Sequence, residues 1–166
     1  MRCNFAGRDK VVARIVIALV SLLFSTLSLA FPCYLTLAKD SCWTNYDVTM
    51  IVLDANTNQQ LLSVVVPKGK SWTREPFTCQ PEQKLMYQVT FKPTIWQGQE
   101  DKKYMALRYW FLPAVIKPDE SAWELKICYP ADFAEVPLPA TANANCHCDF
   151  TSIPAIPPKI EPRPAQ

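Results

Sequence analysis

Glycine and histidine are nearly missing from this chain: three glycines and one histidine in 166 residues. Gly7 lies close to the N-terminus, so only Gly69 and Gly98 serve everything beyond it. Two isolated glycines cannot form a phosphate-cradling loop, which needs several in one turn so that backbone can approach the anion. The lone His147 is embedded between Cys146 and Cys148, leaving a nucleophile–histidine–carboxylate triad without a free base. Carboxylates pair at Glu100–Asp101 and Asp119–Glu120, but both pairs fall in turn-like segments, where they solvate a loop rather than flank a glycosidic bond. A convincing amphipathic helix is also missing after residue 30. These absences point away from an enzyme and from a bound cofactor.

What is present begins with a leader. Arg2, Arg8, Lys10 and Arg14 form a basic stretch opposed only by Asp9, and Ile15–Leu29 is apolar apart from three serines and a threonine. Ser28 and Ala30 are small residues spaced for a cut before Phe31, and Pro32 stops any helix there. The apolar run is about fifteen residues, short of the roughly twenty a bilayer crossing needs. The expectation is a cleaved signal peptide over 1–30 and no stable membrane span thereafter. Phe31 and Pro32 before Cys33 do not fit the small residues that precede an acylated cysteine. The whole chain has 17 basic and 15 acidic residues; removing four and one with the leader leaves 13 and 14, a net charge of −1. No polybasic footprint for nucleic acid or anionic lipid remains.

Of seven cysteines, Cys3 falls in the leader. The other six, Cys33, Cys42, Cys79, Cys128, Cys146 and Cys148, form an even set behind an export signal, which reads as three disulfides in an oxidising compartment. Six cysteines allow fifteen connectivities. Cys33 and Cys42 are placed just before the first expected strand, where a bond would tie the N-terminus to the sheet. A bond from Cys128 to Cys146 or Cys148 would fold the C-terminal segment back onto the domain. The alternative for Cys146, His147 and Cys148 is a zinc or copper(I) site, since thiolate and imidazole suit both ions. Its spacing is tighter than structural zinc pairs use, and a fourth ligand would have to come from Cys128, Asp149 or further away.

Between about residues 42 and 129 the hydrophobic period is two. Tyr46–Leu53, Leu61–Val66, Trp72–Cys79, Leu85–Phe91, Lys103–Phe111 and Trp123–Tyr129 read as strands, with Pro76 confining the third to an edge or bulge. Side chains alternating between two faces are what an antiparallel sheet with one buried face requires. The expected fold is all-β, a small disulfide-stabilised antiparallel β-sandwich or partly open barrel over 31–130. Eight of fifteen prolines fall between Pro130 and Pro164, so 131–166 reads as an extended proline-rich tail, partly tied back by disulfides. Ile153, Ile156 and Ile160, set between prolines, suit a polyproline ribbon docking in a partner's groove. Trp96, beside a polar loop, and Trp110, adjacent to Tyr109 and so on the opposite face, are further partner-binding candidates.

Phe77–Pro81, Phe91–Trp96 and Tyr109–Pro113 resemble stretches of small exported envelope proteins of Legionella-type gammaproteobacteria. Over roughly residues 40–130 the chain resembles an accessory subunit of the type IVB (Dot/Icm) secretion-system core complex. The resemblance implies a non-enzymatic part of a periplasmic and outer-membrane assembly, with other envelope-complex proteins as partners; it carries no functional residue across. The combined expectation is a structural subunit, located in the periplasm or associated with the outer membrane. The alternatives are a periplasmic module binding peptidoglycan, another glycan or a small ligand through exposed aromatics, and a metal-handling protein.

Overall fold

The computed structural model describes residues 30–156; the leader before Ala30 and the end of the tail, with Ile160, lie outside the described residues. Its first strand, β1 (Phe31–Lys39), precedes Tyr46–Leu53, the first strand expected from the sequence. Phe31, Cys33, Leu35 and Leu37 are buried, so this strand belongs to the core. It is the central strand of a three-stranded sheet, flanked by β4 (Trp72–Cys79) and β8 (Trp123–Tyr129). Pro32 is tolerated near its start because it faces Thr78 of β4, while pairing with β8 begins only at Cys33. Pro76 lies in β4, an outer strand, where a missing N–H costs little. β1 and β8 run parallel, from Cys33↔Trp123 to Lys39↔Tyr129, a departure from the all-antiparallel expectation.

The second sheet has the order β3 (Gln60–Val66), β2 (Asp47–Asp54), β5 (Lys84–Lys92), β6 (Tyr104–Met105), with β7 (Trp110–Phe111) also on β5. All its pairings are antiparallel. The β2–β3 hairpin turns on Asp54, whose carboxylate accepts from the Asn56 and Thr57 N–H groups, and on Asn58 with a positive φ of 58°, which asparagine tolerates. The expected strand over 103–111 is interrupted: two short pieces pair with β5, and residues 106–109 between them lie in no strand.

The two sheets stack as a β-sandwich, and the period-two residues of each fill the space between them. Leu35 and Leu37 of β1 and Leu125 and Ile127 of β8 meet Val48, Met50, Val52, Val64, Leu85 and Val89 from the other sheet, all essentially without exposure. A 3₁₀ turn, Ser41–Trp43, closes one end of the core. It is capped by Asp40, which accepts from the Cys42 N–H at 2.9 Å, and it inserts Trp43 with 0% exposure. The Trp43 ring lies 4.8 Å from Tyr46, 4.8 Å from Phe91 and 4.7 Å from Tyr129, centroid to centroid.

Three disulfides staple this frame: Cys33–Cys79, Cys42–Cys146 and Cys128–Cys148, with Cα separations of 6.0, 5.5 and 5.9 Å. The first ties the start of β1 to the end of β4 diagonally across the ladder, where Cys33 faces Phe77 and Cys79 faces Phe31. The other two bring the proline-rich segment back, as the sequence anticipates for Cys128. That segment also contributes to the core: Phe133 is 5% exposed, and Ala134 N–H donates to the Met105 carbonyl at 2.8 Å.

Candidate functional site: an exposed apolar row on the second sheet

Residues 104–112 alternate in exposure except at Arg108, which is itself exposed, and they form strands with β5 only at their ends. Tyr104 and Leu112 turn inward at 3% and 5% exposure. Ala106 and Trp110 are half-buried. Met105, Leu107, Tyr109 and Phe111 turn outward, the last three at 64%, 49% and 66% exposure. The row is held from both sides. Ala106 N–H donates to the Tyr87 carbonyl at 3.0 Å, Leu107 N–H to the Asp132 carbonyl at 2.9 Å, and Leu112 N–H to the Gln83 carbonyl at 3.0 Å. Four consecutive outward positions are therefore apolar on a fixed backbone at the edge of the sheet. Single exposed apolar residues are ordinary; a contiguous row is what marks interaction surfaces.

Cations border the row. Lys84 Nζ stands 3.8 Å from the Tyr109 ring centroid and 5.5 Å from that of Phe111. The Arg108 guanidinium lies 5.0 Å from the Trp110 ring and Lys102 Nζ 5.1 Å from the Tyr104 ring. Each contact places positive charge over the electron-rich face of an aromatic ring. Beside the row a cavity of about 240 Å³ is lined by Met86, Met105, Ala106, Leu107, Arg108 and Tyr109. Its lining offers flexible thioethers and aliphatic carbon, with one guanidinium and the Tyr109 phenol.

The partner-binding residues expected from sequence are placed as follows. Trp96 is 60% exposed in the loop after β5 and stands apart from the row in sequence. Trp110 is the inward member of its pair, its ring 6.5 Å from Tyr87, so the outward surface belongs to its neighbours Tyr109 and Phe111. Ile153 and Ile156 are half-buried and lie in no strand. Cys146, His147 and Cys148 do not converge on one point: the two sulfurs are bonded to Cys42 and Cys128, and exposed His147 turns its Nδ1 to the Asn145 carbonyl at 2.8 Å. Leu107, which sequence reasoning passed over, is among the most exposed apolar side chains; the only signal for it is its place in the alternation.

Two buried tyrosines complete the electrostatics. The hydroxyls of Tyr87 and Tyr129 have no hydrogen-bond partner, and burial raises both above the usual phenol range. They lie inside the sandwich rather than at a surface cleft.

The chain matches no protein-family model, no curated protein and no solved structure.

Proposed function

We propose that this protein is a non-enzymatic structural subunit of an assembly in the cell envelope, and that it docks a partner protein through the row Met105, Leu107, Tyr109 and Phe111. The observation that carries this reading is the row itself, four apolar side chains turned to solvent on backbone fixed at both ends. Preorganised backbone lowers the ordering cost of association, and aromatic anchors dominate protein interfaces. Three disulfides fit an oxidising compartment, the periplasm or the outer-membrane surface on the leader's evidence. The resemblance over residues 40–130 supports narrowing the assembly to a secretion-system core complex of the type IVB class.

A glycan-binding module would use ring faces as stacking platforms. Here Lys84 already stands over Tyr109 and Arg108 over Trp110, which favours a protein partner. The test is co-purification of the untagged native protein from detergent-solubilised envelopes, followed by antibody. Migration in a large particle with fixed partners is the expected result. Migration near monomer size, with saturable tryptophan fluorescence changes on adding muropeptides, would replace the scaffold by the ligand-binding module.

A further inference from the structure

The three disulfides differ in what surrounds their sulfurs. Cys33 and Cys79 are buried at 0% and 1% exposure, and Cys79 Sγ lies 3.4 Å from the Phe31 carbonyl oxygen. Cys128 and Cys148 are partly exposed, but Cys148 Sγ faces two carbonyl oxygens, Ala38 at 3.5 Å and Tyr129 at 3.7 Å. Negative charge developing on that sulfur would meet two negative dipole ends. Cys146 differs in sign: its Sγ accepts the Asn143 N–H at 3.1 Å. The Cys42–Cys146 bond also lines a cavity of about 200 Å³, walled by Trp43, Leu138, Pro139 and Ala142, that opens on the surface. Within it the Asp40 carboxyl and the two sulfurs all lie within 4.8 Å of one another. Exchange at a disulfide depends on access, on how well the departing thiolate is stabilised and on which sulfur is attacked. Access from an open cavity and an N–H donor on sulfur coincide only here among the described disulfides.

We propose that Cys42–Cys146 is a thiol-exchange site that an external dithiol opens while the other two disulfides stay closed. One thiolate of the dithiol attacks Cys146 Sγ, the more exposed sulfur. The Cys42–Cys146 bond breaks, and its electron pair leaves on Cys42 Sγ, which is protonated by water entering the open cavity. The second thiolate of the dithiol then attacks the dithiol's own sulfur in the mixed disulfide. Cys146 departs as a thiolate held by the Asn143 N–H and is protonated from water. The protein disulfide gains two electrons, and the dithiol becomes a cyclic disulfide. Cys128–Cys148 continues to hold the C-terminal segment, so opening affects the residues over Trp43 and not the whole fold.

The experiment is a limiting titration of the oxidised full mature chain with dithiothreitol, trapped by alkylation and mapped by peptide mass. Cys42 and Cys146 should be labelled together, about tenfold faster than Cys128 and Cys148, with Cys33 and Cys79 protected until the chain unfolds. Labelling of Cys128 and Cys148 first or at an equal rate, or of no pair short of unfolding, would overturn the proposal.

Discussion

Arg74 and Glu124 form an ion pair that reaches over the central strand of the first sheet, from β4 on one side to β8 on the other. Beneath it Thr36 of β1 donates its hydroxyl to Glu124 Oε1 at 2.9 Å and accepts from Arg74 Nε at 3.0 Å, with no exposure of its own. Burial pushes the Glu124 carboxyl up, but the Thr36 hydroxyl, Arg74 and Lys126 outweigh it and hold the carboxyl below its ordinary value. Because the folded pKa is depressed, the contribution is complete above about pH 4.5 and is lost as pH falls through the folded value. Glu124→Gln should cost about 1–3 kcal/mol at pH 7. The gap to the parent should close toward pH 3, as urea unfolding at both pH values would show. A gap independent of pH would mean that the carboxylate charge contributes nothing.

Trp43 is the largest side chain with no exposure, and it touches Tyr46, Phe91 and Tyr129 through tilted or edge-on rings. Removing the indole leaves a void among three aromatics that cannot all collapse into it. Trp43→Ala should therefore destabilise by about 3–5 kcal/mol, read from the denaturation midpoint. Trp96→Ala, at a side chain 60% exposed, should stay within about 0.5 kcal/mol of the parent. The same measurement on the two variants thus separates the core tryptophan from the surface one.

How much of this was readable beforehand depended on whether one face of a segment was polar. Lys84–Lys92 has alternating inward and outward residues of opposite character, and its strand and face follow directly from sequence. Residues 104–111 carry apolar side chains on both faces with Arg108 as the one charge, so periodicity identifies two rows without telling which is buried; packing against Tyr87 and Phe133 decides it. β1 carries its own alternation in Phe31, Cys33, Leu35 and Leu37, but Pro32 and the adjoining leader disguise it. Its parallel pairing with a strand ninety positions later is a tertiary fact with no local trace. The cysteine count predicted three bonds, whereas the choice of Cys42 for Cys146 and Cys128 for Cys148 required the fold.

The outward row makes a prediction in which stability and association separate. Leu107→Ser with Phe111→Ser changes two side chains that are 64% and 66% exposed. Unfolding free energy should move by no more than about 0.5 kcal/mol per site, while co-purification with the envelope assembly should be lost. Retained association would direct the search to Trp96 or to Ile153 and Ile156. Large destabilisation would mean that the row is covered within the chain itself.

Lys39 is a cation at 2% exposure, and its Nζ donates to the Tyr46 carbonyl at 2.6 Å and the Pro67 carbonyl at 2.9 Å. It thereby links the end of β1 to the entry of β2 and the exit of β3. Pro67 O also takes the Lys70 N–H at 3.0 Å, so the Tyr46 carbonyl loses more when the ammonium is removed. Lys39→Met should cost about 1–3 kcal/mol at pH 7. Desolvation lowers the Lys39 pKa, with Asp47 opposing it. A base that releases its proton more readily when folded makes the unfolded chain bind more protons over the interval below 10.5, so the parent gains stability as pH rises through that interval. Lys39→Met lacks this gain, and its deficit should widen between pH 7 and pH 10 in paired urea titrations. A deficit that narrows instead would show that the charged ammonium, and not the desolvated amine, is the form the fold favours.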